Sequence, residues 1–461
     1  MSSLKVMTKN LLADTVTPVS AYMKICGGGK DSCLLESGEM SEAVGRFSVV
    51  AWDPLCSMTL ESNGVSLDLD GEQNESPRQE FFPLMQRVMA RLECAGLPEL
   101  PLVGALVGYV GWDAVRLIER LPGKFGVETP AARLFFPSRF IVFDHIRRIM
   151  TLVTLAPDQA GCQAKMDEAE ARLRAPLEII SRPAGFTMTA PPKERYIEAV
   201  TKAKEYILAG DIFQVVLSDR FQGQTGVNPL TVYRWLRVKS PSPYMFFLDF
   251  GDQKLVGASP ETLVKVENGI IGIRPIAGTR GRSADPARDK ELEQEMLESE
   301  KERAEHVMLV DLSRNDAGRV SRYGTVEVAP YMSVERFSHV MHIVSHVSGE
   351  LRPDLDVLDA FQAGFPAGTV SGAPKVRAME IIDELEQGRA RGPYAGAVGY
   401  FGPGRRMDTC IAIRMLQFQG DEFTVQVGAG IVADSIPEME YEEINHKAAQ
   451  SLAALETASK G

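Results

Sequence analysis

Cysteine is scarce and scattered: six in 461 residues, at positions 26, 33, 56, 94, 162 and 410. No two form a Cys-x-x-Cys pair, and none falls at metal-ligand spacing with the six histidines, so neither a zinc site nor a disulfide framework is indicated. Free thiols in a reducing cytoplasm are expected. Long apolar runs are also missing. No stretch approaches the roughly 20 residues that span a bilayer, and the first thirty residues lack the basic start and apolar run of a secretory signal. A cytoplasmic chain without a membrane partner is expected. Surplus positive charge is the third absence, since 50 basic against 62 acidic side chains give a formal net charge of −12, spread along the chain. Attraction to nucleic acid at long range is thereby excluded, and an anionic small molecule would need a pocket made locally cationic.

What is present is enough apolar sequence, 44% of the chain, to bury a substantial core. From Phe47 to about Leu155, short β-branched and aromatic runs such as Val103 to Val110 alternate with Gly, Pro and Asp, which predicts strands. Residues 157 to 180 read as a charged amphipathic helix. The stretch Ser181 to Lys193, with Pro183, Pro191 and Pro192, then interrupts the pattern and divides the chain into regions 1–188 and 189–461. Beyond it the pattern predicts helices at Tyr196 to Leu208, Arg288 to Leu312 and Glu438 to Leu455, and strands at Ile212 to Leu217 and Tyr244 to Asp249. Helices and strands alternate without the regular spacing or phosphate-binding turns of a doubly wound sheet, so an α+β fold with large antiparallel sheets is expected. A short echo of Gly104 to Tyr109 in Gly396 to Tyr400 is put down to chance.

Three groups of residues could carry chemistry. Glu302 with Glu305, and Glu440 with Glu443, are spaced three apart on predicted helices, so each pair shares a face. Four hard oxygen donors would suit Mg²⁺, although a solvated acidic face is the commoner cause of such spacing. The glycine-rich Phe365 to Lys375 stretch can bring backbone N–H groups, Thr369 and Ser371 close to an anion, or can simply be a tight turn. It lacks the Gly-Lys-Ser/Thr ending of a nucleotide-binding loop. The third group comprises Glu261 after Ser259-Pro260, the Arg274 to Arg280 run, His339 and His342, Tyr394, Arg414 and Lys447. Arg414 sits in the strand-like Ile411 to Met415, where an inward guanidinium needs a partner such as a substrate carboxylate. Lys447 follows Glu443 by four residues, which is also the spacing of an ordinary helix ion pair.

Six stretches, Gly210 to Val216, Ala258 to Glu261, Arg274 to Arg280, Glu305 to Asp316, Phe365 to Lys375 and Gly428 to Ser435, together resemble the chorismate-utilising enzymes, in one order over nearly the whole chain. The resemblance implies two large antiparallel sheets packed face to face with helices outside. It assigns the metal, Mg²⁺, to Glu302, Glu305, Glu440 and Glu443. Tyr394, Arg414, the Gly428-Ala429-Gly430 backbone and Lys447 become substrate-binding groups, and Glu261, His342 and Thr369 the catalytic ones. Ala277 stands where aminodeoxychorismate-forming members typically carry lysine, so it points to the anthranilate-forming branch, with the aminodeoxychorismate branch as the alternative. Leu35, Glu36, Ser37, Pro241, Tyr244, Met245, Phe246 and Cys410 resemble that branch's tryptophan feedback pocket, with Ser240 replacing a customary asparagine. No Gly-x-Cys-x-Gly nucleophile motif is present, so the implied ammonia donor is a separate glutamine amidotransferase subunit.

Overall fold

Every strand pairing among the described residues is antiparallel, and two long neighbours, Phe47–Leu60 and Ala132–Asp144, organise the rest. The structure is a computed structural model that describes residues 4–27, 29–38, 45–69, 71–123, 125, 129–177, 183–336 and 340–461. His339 lies outside the described residues. A register shift between Pro54 and Cys56 bends the long pair, and a sheet grows from each of its two edges. On one edge the order continues through Leu106–Val110, Ala397–Gly402, Arg406–Ile411, Thr262–Glu267, Ile270–Ile273 and Val347–Glu350. On the other it runs through Ser32–Glu36, Tyr244–Asp249, Gln253–Ser259, Met415–Gln419, Glu422–Ile431 and Gln214–Thr225. The expected pair of sheets is therefore one connected network of 21 strands, with a separate three-stranded sheet beside it. Strands from both sides of residue 188 share these ladders.

The two sheets meet through buried side chains. Tyr109 donates to the Gln253 side chain at 3.0 Å, and Tyr244 donates to Asp408 at 2.9 Å, each bond running from one sheet to the other. Phe246, Phe247, Phe135 and Phe401 are fully buried in the same core, where hydrophobic burial contributes most of the stability. The echoed glycine segments are neighbours: Gly399 pairs with Gly108. A Cβ on Gly399 would stand 2.1 Å from the Asp408 carbonyl oxygen, and one on Gly108 equally close to that of Arg133. Close backbone approach, not duplication, requires both glycines.

Several expected elements moved. The single acidic helix over 288 to 312 is two, Pro286–Glu298 and Glu300–Gly318, because Ser299 leaves helical geometry and caps the second by accepting from the Glu302 N–H. The first of the charged helices spans Gln159–Arg174 and the last Pro437–Ser459. All six cysteines are buried free thiols.

Candidate active site

Chain crossings between the two sheets build the centre of the site. Residues 260 and 261 carry the chain from the Gln253–Ser259 strand of one sheet to the Thr262–Glu267 strand of the other, and residues 412 to 414 carry it back. The crossings brace each other, with the Ile411 N–H donating to the Glu261 carbonyl and the Ala258 N–H to the Arg414 carbonyl. Arg414 therefore does not lie in a strand, as its apolar neighbours suggested. It occupies the break between two, at φ 51°. A left-handed arginine is strained by roughly 1–2 kcal/mol, and the two flanking ladders hold it there. Among the described residues its guanidinium makes no hydrogen bond or ion pair.

Glu261 stands beside it, and burial pushes the Glu261 carboxyl up to about 8, against smaller opposing pulls from Thr369, Arg414 and Arg274. At neutral pH it is a protonated acid. Thr369 belongs to the short turn Gly368–Val370; its hydroxyl is buried close to Glu261 without a well-formed hydrogen bond, so it can turn to a ligand. Ser371, paired with Thr369 in the sequence reading, is instead spent within the loop, donating to the Ala367 carbonyl at 2.8 Å. Lys375 reaches the buried Asp316 at 2.7 Å, which pins the glycine-rich loop to the Glu300–Gly318 helix. A pocket lined by Glu261, Thr369, Ser313, Asp316, Leu309 and Leu312 opens between them.

His342 faces this group from the three-stranded sheet, opposite Thr279 and Glu335. Its Nδ1 lies 3.0 Å from both the Gly278 carbonyl oxygen and the Thr279 hydroxyl; the carbonyl can only accept, so the tautomer with the proton on Nδ1 satisfies it and leaves Nε2 as the basic nitrogen. Burial lowers its pKa, Arg414 and Arg274 push the same way, and the Gly278 carbonyl and Glu335 oppose them. The imidazole is neutral at neutral pH.

On the opposite wall, Gly428, Ala429 and Gly430 pair with Ser218, Leu217 and Val216. A Cβ on Gly428 would stand 2.9 Å from the Tyr394 hydroxyl, so glycine is what lets that hydroxyl reach the strand. Lys447 donates to the Gly428 carbonyl at 2.9 Å and pairs with Glu443 at 2.7 Å.

The four glutamates come near one another without converging. Burial and then Glu302, with Glu443 further down, raise the Glu305 carboxyl, and burial followed by Glu443 raises that of Glu440. The charge of Glu443 thus reaches Glu305 from one helix to the other. Yet among the described residues no three acidic, histidine or cysteine side chains stand close enough to share a metal ion. Like charges repel, and each outer glutamate takes the nearest cation: Arg280 holds Glu302 at 2.9 Å and Lys447 holds Glu443.

The residues expected to form a feedback pocket centre on one ladder, where Leu35 pairs with Phe246 and Glu36 with Met245. Side chains alternate along a strand, so these pairs lie on opposite faces. Glu36 is committed to the helix over Pro229–Lys239, accepting from Tyr233 at 2.7 Å and pairing with Arg237 at 2.9 Å. Tyr244 lies between Thr262 and Asp408, and Cys410 pairs with Thr262, so both reach the second sheet.

Missed from the sequence were Trp112, Asp113, Glu386 and Arg391, which back the Tyr394 wall. An arginine directly before Gly392-Pro393-Tyr394 was the available signal.

A family model for chorismate binding enzymes matches residues 30–453. Anthranilate synthase component 1 of Thermus thermophilus is 45% identical, with all of both chains covered, and that of Acetivibrio thermocellus is 41% identical over 98% of this chain and 96% of its own. Among solved structures, anthranilate synthase component I of Streptococcus pneumoniae superposes with a TM-score of 0.79 at 37% identity, covering 96% of this chain and 99% of that one. The menaquinone-specific isochorismate synthase of Escherichia coli, at 18% identity and a TM-score of 0.75 over 98% of this chain and 95% of its own, shares the fold.

Proposed function

Because the chain belongs to the chorismate binding enzymes, and within them to the anthranilate synthase component 1 group, we propose that its inter-sheet cleft converts chorismate and ammonia to anthranilate and pyruvate. The observation that carries this reading is Glu261, a buried carboxylic acid protonated at neutral pH beside the cation Arg414, which has no ion-pair partner among the described residues. Arg414 and Tyr394 bind the enolpyruvyl carboxylate, and Thr369, the Gly428 to Gly430 backbone and Lys447 complete the anion cradle. Ammonia adds to the ring while the 4-hydroxyl departs. Hydroxide leaves poorly, so Glu261 supplies the proton and water is lost. His342 Nε2 then takes the ring proton at the new C–N carbon. The C–O bond to the side chain breaks, the enolpyruvyl methylene gains a proton to give pyruvate, and the ring becomes aromatic.

The donor set fits Mg²⁺ in chemistry: carboxylate oxygens alone, on two helices, with Glu305 and Glu440 raised by burial and then by neighbouring glutamates. Glu302, Glu305, Glu440 and Glu443 would hold it, and when bound it supplies the positive charge that accepts the ring carboxylate. Ammonia comes from a separate glutamine amidotransferase subunit, and the enzyme works in the cytoplasm; no helix among the described residues is long and apolar enough to cross a membrane. Region 1–188 carries the regulatory elements and region 189–461 the chemistry. Tryptophan inhibits by binding at the Leu35–Ser37 and Pro241–Phe246 ladder, with Cys410 beyond it. Incubating the purified chain with chorismate, ammonium and Mg²⁺ and following anthranilate fluorescence tests the reaction. Glutamine in place of ammonium should give no product from this chain alone, and a non-fluorescent amino product would contradict the assignment.

A further inference from the structure

We propose that Arg391 is a positioning residue for chorismate, fixing from behind the Thr369 turn, the backbone opposite Gly428 and Gly430, and the Tyr394 wall in one geometry. The inference rests on the proposed role of that cradle. Arg391 is only 2% exposed, and a guanidinium so buried is tolerated when its donors are satisfied. Its partners span the site. The Nε donates to Glu386 at 2.9 Å, one terminal nitrogen donates to the Val370 carbonyl at 2.9 Å, and the other to the Val216 carbonyl at 2.7 Å as well as to Glu386.

Each partner adjoins a cradle group. Val370 follows Thr369 in the turn, and Val216 is the ladder partner of Gly430. Glu386 also accepts from the Ser218 N–H at 2.8 Å and hydroxyl at 2.9 Å, and Ser218 is the partner of Gly428. The Arg391–Glu386 pair therefore touches both residues that set the height of the glycine strand, together with the turn that aims the Thr369 hydroxyl. Three residues on, Tyr394 presents its hydroxyl to Gly428. The guanidinium lies over the Trp112 ring, 4.3 Å from its centroid, and Trp112 and Asp113 hold the Gly392 peptide from both sides, at 2.9 Å each. Lysine could not reproduce this. A single ammonium can keep the charge, but it lacks the planar fork that spans two carbonyls and a carboxylate.

The test measures binding by calorimetry for chorismate and for benzoate, which carries a ring carboxylate without the enolpyruvyl one, in the full chain and in Arg391→Lys. Chorismate Kd should rise roughly tenfold, with benzoate Kd within about twofold, because only the cradle end loses its geometry. Equal weakening of both ligands would show general loosening and overturn the proposal, as would no weakening of either. Should Arg391→Lys fail to fold, Glu386→Gln is read in the same way, with an expected loss of about threefold for chorismate alone. Wild-type chain that binds chorismate but makes no anthranilate sinks the reaction assigned above while the ligand comparison still decides on Arg391. A wild type that binds no chorismate overturns both.

Discussion

Replacing Glu261 with glutamine separates what this carboxyl does for the reaction from what it costs the fold. The folded carboxyl titrates at about 8 because of burial, against 4.5 for an ordinary glutamate, so the folded chain keeps a proton that the unfolded chain gives up. With more protons bound in the folded state, stability falls as pH rises through the window from 4.5 to about 8. The penalty is absent below that window and complete above it. At about 1.4 kcal/mol per pH unit, the full penalty is roughly 5 kcal/mol, and at pH 7 it is roughly 3 kcal/mol. Glu261→Gln removes the titration and keeps the shape. Urea unfolding of both proteins at matched pH values should therefore show the variant gaining on the wild type as pH increases, by an amount that starts near zero around pH 4.5. Other groups titrate in both proteins and cancel in the difference. Turnover should move the opposite way, dropping by about 10²- to 10⁴-fold, because an amide cannot protonate the departing hydroxyl. In the wild type, kcat should decline above about pH 8 as the acid is lost. A stability difference that stays flat between pH 5 and 8, or a glutamine variant within tenfold of normal turnover, would refute the reasoning.

His342→Gln should slow pyruvate release by roughly 10²-fold or more with chorismate binding retained, read by coupling pyruvate to a dehydrogenase; normal release would remove the imidazole from the mechanism. Stripping divalent cations with EDTA should abolish anthranilate formation and Mg²⁺ should restore it, with Glu443→Gln raising the Mg²⁺ needed for half-maximal activity; an EDTA-treated enzyme at full rate would exclude the metal. Asp316→Asn leaves Lys375 without its partner in a site where both side chains are little exposed, at 13% and 11%. The loss should be on the order of 3–5 kcal/mol in unfolding experiments, and a change below 1 kcal/mol would show that the pair is not what holds the glycine-rich loop.

Residue types carried much of the site, and long-range pairing carried the rest. Glu302 and Glu305 could be placed on one helix because spacing of three fixes a shared face, and Ser299 explains why that helix begins where it does. Glu440, Glu443 and Lys447 follow the same rule on Pro437–Ser459. Arg414 drew attention as an arginine among apolar neighbours, but its backbone was misjudged. Periodicity over five residues sees a strand on either side of position 414 and cannot see the turn through which the chain changes sheets. Arg391 escaped because its partners lie at 216, 370 and 386, and no local pattern links positions so far apart. The joined sheets escaped likewise, since the bend at Pro54 and Cys56 becomes visible only once the partner strand is known.

On the proposed reading, an acidic protein holds a dianion through two sets of charges. Arg414 and Arg274 act on Glu261 and His342, where they would favour the enolpyruvyl carboxylate. Four glutamates form the acidic part of the cleft, beside the Gly278 turn that holds His342, with Arg280 and Lys447 pairing only with Glu302 and Glu443. A ring carboxylate entering there would meet Glu305 and Glu440, whose carboxyls are raised by burial first and then by neighbouring glutamates. Such a cluster should accept an anion only when a divalent cation comes with it. On the proposed reading, orientation of the substrate and dependence on metal follow from one arrangement. Neutral Glu261 stands beside Arg414, where ionisation would add a negative charge and repel the substrate that it is proposed to protonate. Burial of that one carboxyl therefore serves binding as well as proton transfer, so chorismate affinity should weaken over the same pH range in which the acid is lost.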